Sequence, residues 1–269
     1  MSEKTTTALY VCYHQGEVVL DSGVFKPLYV GKNQAVSEEN IHEKNAQYGE
    51  LTALYWMWKN DLDHAVLGLC HYRRFFQKSP GWGFFARRWT EGALQSHQHK
   101  LATDFSALLN EVDWILPTPV RLINSVREEY NKYHPKEDLE LMRRLLVEQQ
   151  PAYVATYDAF LEGNTQHLFN MFVTTRAQLQ AYCAWLFPLL FAFEQQDTMK
   201  REGSYQQRVL GFMAERLLNV FVLHNRCNIG TMPVVQLGKN ALYTHSIWVK
   251  LKDQVKGLVF SVSQYRKRK

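Results

Sequence analysis

Hydrophobic and polar positions change their period several times along this chain, and each change marks an element. Leu9-Tyr10-Val11-Cys12-Tyr13 is a β-prone run closed by the turn signal His14-Gln15-Gly16, and Leu28-Tyr29-Val30-Gly31 is a second strand-like run. Tyr48 to Asn60 takes up helical spacing, with Leu51, Leu54, Tyr55 and Trp58 on one face. Ala65-Val66-Leu67-Gly68-Leu69-Cys70 is almost wholly apolar, as in a strand covered on both faces. Leu101 to Glu111 reads as a helix, and Trp114-Ile115-Leu116 as a strand closed by Pro117 and Pro119. Strands alternating with helices predict an α/β domain built on a largely parallel sheet. The second half is mostly helical. Glu137 to Glu148 and Ala152 to Glu162 are helices separated by Pro151, and Gln178 to Glu194 and Tyr205 to Leu223 are two more. His167 to Val173 is strand-like. Residues 78–100 form an irregular insertion carrying Trp82, Phe84, Phe85, Arg87, Arg88 and Trp89. No internal repeat or low-complexity linker divides the chain, so one domain is expected over 1–235.

Composition narrows the class. With 46% hydrophobic and 21% charged residues among 269, the chain can bury a sizeable core, and disorder and fibrous repeats are excluded. The formal charge of +5 is unevenly placed. Residues 236–269 hold eight Lys or Arg against Asp253 alone, or +7, which leaves 23 basic against 25 acidic residues, or −2, for 1–235. A body near neutrality disfavours nucleic acid as a partner. In the tail, Trp248, Val249, Leu251, Val255, Leu258 and Val259 alternate with Lys250, Lys252 and Lys256 ahead of Arg266-Lys267-Arg268-Lys269. Such a segment suits an anionic membrane surface, though a final helix docked on the core would look the same. Cys12, Cys70, Cys183 and Cys227 stand far apart, as reduced core thiols do. The polar N-terminus lacks a signal-peptide core, and the apolar run from Ala181 to Phe193 contains Pro188 and falls short of the roughly 20 residues of a membrane span. A soluble, cytoplasmic protein is expected.

Several polar groupings could carry chemistry. His71-Tyr72-Arg73-Arg74 follows directly on the buried-type strand, and open α/β sheets bind ligands beyond the carboxyl ends of their strands. Two guanidiniums and an imidazole there could hold a diphosphate; they could equally pair with surface carboxylates. Asp61-Leu62-Asp63 has the form of a metal-binding DxD, but it precedes its strand and so belongs at the opposite edge, where a solvated helix-capping turn is the favoured account. Asn40 and Asn45 offer amides suited to sugar hydroxyls or a base edge, within what is otherwise an ordinary loop. His167 and Asn170 flank an apolar run, where a satisfied buried histidine is the plain alternative. Glu215 could act as a general base, or form a charge pair with Arg216. Tyr130, Tyr133, His134 and Asp138 make a polar-aromatic group whose default is a turn and helix cap. No GxSxG elbow, P-loop, GxGxxG or HExxH is present.

Taken together, Tyr48-Gly49-Glu50-Leu51-Thr52-Ala53-Leu54-Tyr55-Trp56-Met57-Trp58-Lys59-Asn60 and Gly68-Leu69-Cys70-His71-Tyr72-Arg73-Arg74-Phe75 resemble the signature of bacterial capsular polysaccharide and lipopolysaccharide glycosyltransferases, domain-of-unknown-function family four-four-two-two. Asn40-Ile41 with Asn45, Asp113 to Pro117, His134 with Asp138-Leu139, His167 to Phe172, Tyr182 to Phe187, and Gly211-Phe212 with Glu215-Arg216-Leu217 extend the likeness over about 8–235. His42 stands where that family usually has Ser, Gln166 where it has Gly, and Lys32 follows Gly31 in place of a small residue. The resemblance implies a GT-A-like fold: a mostly parallel sheet with helices on both faces and a helix-rich C-terminal half. It implies transfer of a hexose, of galactose or galactofuranose type, from a nucleotide diphosphate sugar such as a UDP-sugar to a lipid-linked glycan in capsule or O-antigen synthesis. On that basis His71, Arg73, Arg74, Asn40, Asn45 and Glu50 are expected to bind the donor, and His134, His167 and Asn170 the donor sugar or acceptor. Glu215 is the expected base if the reaction inverts, with Asp138 second. A divalent metal stays open, because no DxD stands at the expected strand end. A peripheral position at the inner face of the cytoplasmic membrane follows from the basic tail. The rival classes are a non-catalytic glycan- or membrane-binding module and a metal-dependent phosphoesterase, the latter short of converging carboxylates.

Overall fold

The structure is a computed structural model that describes residues 6–14, 20, 23–31, 38–78 and 87–238. The amphipathic part of the basic tail and the aromatic centre of the 78–100 insertion lie outside the described residues, and the membrane-contact expectation lies with that tail.

The strands are β1 (Thr7–Tyr13), β2 (Phe25–Tyr29), β3 (Val66–His71), β4 (Arg74–Phe76), β5 (Arg87–Trp89), β6 (Trp114–Pro117), β7 (Val120–Arg121), β8 (Thr165–Gln166), β9 (Phe172–Thr175), β10 (Ile229–Met232) and β11 (Val234–Leu237). The first helices are α1 (Asn45–Tyr48), α2 (Leu51–Asn60), α3 (Glu91–His97), α4 (Ser106–Leu109) and α5 (Val126–Asn131). The remainder are α6 (Lys136–Gln149), α7 (Val154–Glu162), α8 (Arg176–Gln196), α9 (Gly203–Gln207) and α10 (Val209–His224). None of the described helices is long and apolar enough to cross a membrane.

The main sheet runs in the order β2, β1, β3, β9, β6, β10. Five of these strands point the same way; β9 lies antiparallel between β3 and β6. The mostly parallel sheet expected from the sequence is therefore present. β4 turns back from the end of β3 and pairs with β11, which pairs with β5; β7 and β8 form a separate ribbon. β11 runs across the 235/236 boundary expected between body and tail, so the sheet takes up the first tail residues.

Burial alternates along β1 as the pleat requires. Leu9, Val11 and Tyr13 enter one layer with Phe75, Phe76 and Phe105, while Ala8, Tyr10 and Cys12 enter the other with α2, α6, α8 and α10. All six residues of β3 are buried, which accounts for its continuous apolar run. Its backbone is packed so closely that a Cβ on Gly68 would lie 2.4 Å from Leu9 Cδ2 and 3.0 Å from the Phe172 carbonyl oxygen.

Several elements differ from the sequence expectation: the insertion expected to be irregular holds β5 and α3, and the helix expected over 205–223 divides into α9 and α10. The long helix at 48–60 is broken by Gly49, whose φ of +53° ends α1 and starts α2. The helix expected over 101–111 shrinks to α4, because Leu101 is drawn into a bridge with Gln77 and the Asp104 carboxylate accepts from the Ser106 N–H. The run His167 to Met171 is a loop. Phe169 (φ +82°) and Asn170 (φ +49°) are left-handed, and β9 begins only at Phe172. Its mostly apolar residues imitate a strand, but Phe169 and Asn170 are held as a loop by Glu215, Glu50 and Gly211.

Candidate active site

Parallel strands bring their carboxyl ends to one edge: Tyr13, His71, Pro117 and Met232 finish β1, β3, β6 and β10 there, and the loop 167–171 enters β9 at the same edge. A cavity of about 190 Å³ opens beyond β1 and β3, lined by Cys12, His14, Glu50, His71, Arg73 and Arg74, with Tyr72, Arg208 and Gln236 completing the wall. The strand-end cluster singled out in the sequence thus faces one space.

His71 is buried, and its Nδ1 lies 3.2 Å from Arg74 Nη1. A guanidinium only donates, so Nδ1 accepts and the imidazole proton sits on Nε2. Burial above all, with Arg74 and Arg208 nearby, pushes the His71 pKa down to about 4 against the pull of Glu50. The ring is therefore neutral near pH 7. The Arg74 guanidinium lies 4.4 Å above the Phe169 ring, and its buried Nε has no hydrogen-bond partner. Arg73 is exposed beside Tyr72, with its guanidinium carbon 4.8 Å from the ring centroid.

Glu50 follows Gly49 into this cluster. Its carboxylate accepts from Asn170 Nδ2 at 2.8 Å and from Arg208 Nη2 at 3.2 Å. Burial disfavours the charge, yet its neighbours outweigh burial and hold its pKa below the usual range. Since His71 is neutral at neutral pH, the Asn170 amide and Arg208 supply that balance there. A Cβ at residue 49 would come within 3.3 Å of Arg208 Nη2, so glycine serves both the turn and the approach of that arginine.

The wall behind the loop is one face of α10. Arg208, at its N-cap, stands three, seven and eleven residues before Gly211, Glu215 and Asn219, which places all four on neighbouring turns. Asn170 Nδ2 donates to the Gly211 carbonyl (2.9 Å), and Glu215 Oε2 accepts from the Phe169 N–H (2.6 Å). Glu215 Oε1 accepts from Arg216 at 2.8 Å, so both of its oxygens are engaged. Burial raises the Glu215 pKa, against Arg216 and the Phe169 N–H. Asn219 accepts from the His167 N–H at 2.8 Å and donates to the His167 carbonyl at 2.9 Å. Two successive non-glycine residues at positive φ are thereby held by paired side chains, the kind of backbone strain that collects at functional sites.

Other expected site residues lie elsewhere. Asp138, the second candidate base, does not line the cavity: its buried carboxylate accepts from Tyr130 Oη at 2.8 Å and pairs with Arg201 Nη2 at 2.6 Å. His134 stacks in an aromatic group with Tyr130, Tyr205 and Phe212 rather than in the cavity, and burial lowers its pKa. Asn40 and Asn45 do not line the cavity either. The Asn40 side chain accepts from the His42 N–H at 3.0 Å and donates to the Glu38 carbonyl at 2.7 Å, and Asn45 starts α1 near Gly31. The Asp61-Leu62-Asp63 turn sits at the far edge as expected. There Asp61 accepts from Tyr10 Oη (2.8 Å) and from the N–H groups of Asp63 and His64 (both 3.1 Å), and Arg176 also bonds to this turn. Among the described residues no cluster of three or more His, Cys, Asp or Glu could hold a metal. A second cavity, about 420 Å³, lies between α1, the end of α8 and α9; its Glu194 and Asp197 are already paired with Lys44 and Arg201. Arg208 and Asn219 were missed in the sequence. Their only signal is their spacing from Glu215 along α10.

The mixed α/β sheet of this order, with helices around it, is a GT-A-like fold. Residues 8–226 match the family described as Domain of unknown function (DUF4422), and the chain belongs to that family. Among solved structures it is similar to the one titled as the apo structure of the bifunctional glycosyltransferase WbbM, at 22% identity and a TM-score of 0.76 over 87% of this chain. The likeness spans 45% of the WbbM chain, so this protein corresponds to less than half of it. Comparison with curated proteins found no match.

Proposed function

We propose that the protein is a glycosyltransferase of polysaccharide synthesis. It would take a hexose, of galactose or galactofuranose type, from a UDP-sugar and pass it to a lipid-linked glycan of the capsule or O-antigen kind. One observation carries this: Arg73, Arg74, Arg208 and the neutral His71 converge on a single cavity at the carboxyl ends of β1 and β3, with Glu50 the one carboxylate among the described lining residues. Three guanidiniums around one carboxylate leave a net positive site that suits a diphosphate. Charge appearing on the departing nucleoside diphosphate would be offset by these fixed cations. Asn170 would face the donor sugar, and Glu50 would align Arg208 and Asn170. The basic tail would keep the site against an anionic membrane on the inner face, where a lipid-linked acceptor resides.

The test is calorimetric titration of UDP and UDP-sugars into the wild-type chain and into Arg74→Ala and Arg208→Ala, paired with a transfer assay. Each substitution removes charge-assisted hydrogen bonds and should weaken binding roughly tenfold or more. Binding of glycan without any nucleotide sugar would support a non-catalytic module in its place.

A further inference from the structure

The ring of His167 is oriented by a hydrogen bond at the end of β6. Its Nδ1 lies 2.6 Å from the carbonyl oxygen of Pro117, the last residue of β6. A carbonyl only accepts, so the imidazole proton sits on Nδ1 and Nε2 carries the free lone pair. Asn219, itself buried, clasps the His167 backbone on both its N–H and its carbonyl, and donates onward to the Glu215 carbonyl at 2.8 Å. Among the described residues nothing bonds to Nε2. Glu215, the other candidate base, has one oxygen on the Phe169 N–H and one on Arg216.

We propose that His167 Nε2 is the general base that activates the acceptor hydroxyl, and that the transfer inverts the anomeric centre. The proposal rests on the donor-site reading above. Its geometry comes from the sheet. His71 ends β3 and Pro117 ends β6, with β9 between them, so the cationic cavity and the base stand two strand spacings apart, roughly 10 Å. In-line displacement needs a similar span. The attacking oxygen stands about 3–3.5 Å from the anomeric carbon, the base about 2.6–3.2 Å beyond it, and phosphorus two bonds behind the carbon. Base and leaving group then occupy opposite faces of the sugar, as inversion requires. The acceptor oxygen forms its bond to the anomeric carbon as its proton passes to Nε2. The bond from that carbon to the diphosphate oxygen breaks, and its electron pair departs with the nucleoside diphosphate toward Arg73, Arg74 and Arg208. Burial, opposed by the Pro117 carbonyl, lowers the His167 pKa, so the lone pair is available at neutral pH. The nearest charged side chains on α10, Glu215 and Arg216, are paired with each other.

His167→Asn tests this without removing the structural bond, because the Asn amide can still donate toward the Pro117 carbonyl. The expected result is a fall in kcat of about 10²–10⁴-fold with donor Kd unchanged, partial rescue of His167→Ala by added imidazole, and an NMR-determined product configuration opposite to that of the donor. Transfer by His167→Asn within about fivefold of wild type, a retained configuration, or no imidazole rescue would each overturn it. Failure of the wild-type chain to bind any nucleotide sugar would overturn both this and the donor-site reading; normal donor binding with undiminished His167→Asn turnover would overturn the base alone.

Discussion

Asp138→Asn separates a structural carboxylate from a chemical one. In the native protein Asp138 is 1% exposed and accepts from Tyr130 Oη (2.8 Å), Arg201 Nη2 (2.6 Å) and Arg201 Nη1 (3.3 Å). Arg201 also donates through Nε to Asp197 at 2.7 Å. The amide has nearly the same shape but turns an NH2 toward groups that donate, and it leaves Arg201 with Asp197 as its one charged partner. Breaking a buried ion pair costs about 3–5 kcal/mol, and the surviving Asp197 contact puts this case near 3. Unfolding entropy of ~2.1 cal/mol/K per residue makes ~0.6 kcal/mol/K for a chain of 269, so Tm should drop by about 5 °C. Differential scanning calorimetry measures the drop, and a transfer assay well below Tm should find kcat within about twofold of wild type. An unchanged Tm would refute the ion-pair argument. Abolished turnover in a variant of native stability would restore Asp138 as a reacting group.

Three further outcomes are expected. Gly68→Ala forces a methyl against Leu9 and the Phe172 carbonyl in the middle of the sheet; overpacking of about 3 kcal/mol should lower Tm by about 5 °C, and a stable variant would contradict the packing. His71, held near 4 against an ordinary 6.5, binds a proton in the unfolded chain before it can in the native one. Stability should therefore fall as pH drops from about 6.5 toward 4, by up to ~3 kcal/mol, in urea melts across that range, and His71→Asn should flatten the slope. Transfer should survive EDTA within about twofold, because guanidiniums supply the neutralising charge; loss of turnover restored by Mn²⁺ would refute that.

Much of the site's address was legible in residues 65–75. An all-apolar run ending in His-Tyr-Arg-Arg marks a buried strand whose last residues must face whatever lies beyond its carboxyl end, and β3 bears this out. What escaped were partners distant in the chain. Glu50 meets Asn170 across 120 positions and Arg208 across 158, and Asp138 meets Arg201 across 63. A local pattern of hydrophobic and polar residues carries no information about such pairs, so a spent carboxylate like Asp138 and an engaged one like Glu215 look alike from sequence. The 167–171 loop misled for the same reason: its apolar run reads locally as a strand, while contacts with Glu215, Gly211 and Arg74 hold it as a loop.

Taken alone, the sequence determined the class: a sheet of apolar strands covered on both faces, helices between them, and cations at one strand end. Those follow from local periodicity, because burial of a strand or helix face is written into the residues of that segment. The tertiary structure decided the rest. It set β9 in reverse between β3 and β6, so that one edge collects the ends of β1, β3 and β6 with the 167–171 loop. It gave Asp138 to Arg201 and Glu215 to Phe169, and among the described residues it left the Nε2 of His167 unbonded. Such choices depend on which groups remain unsatisfied once the layers close, and a buried polar group is stable only where another segment supplies its partner.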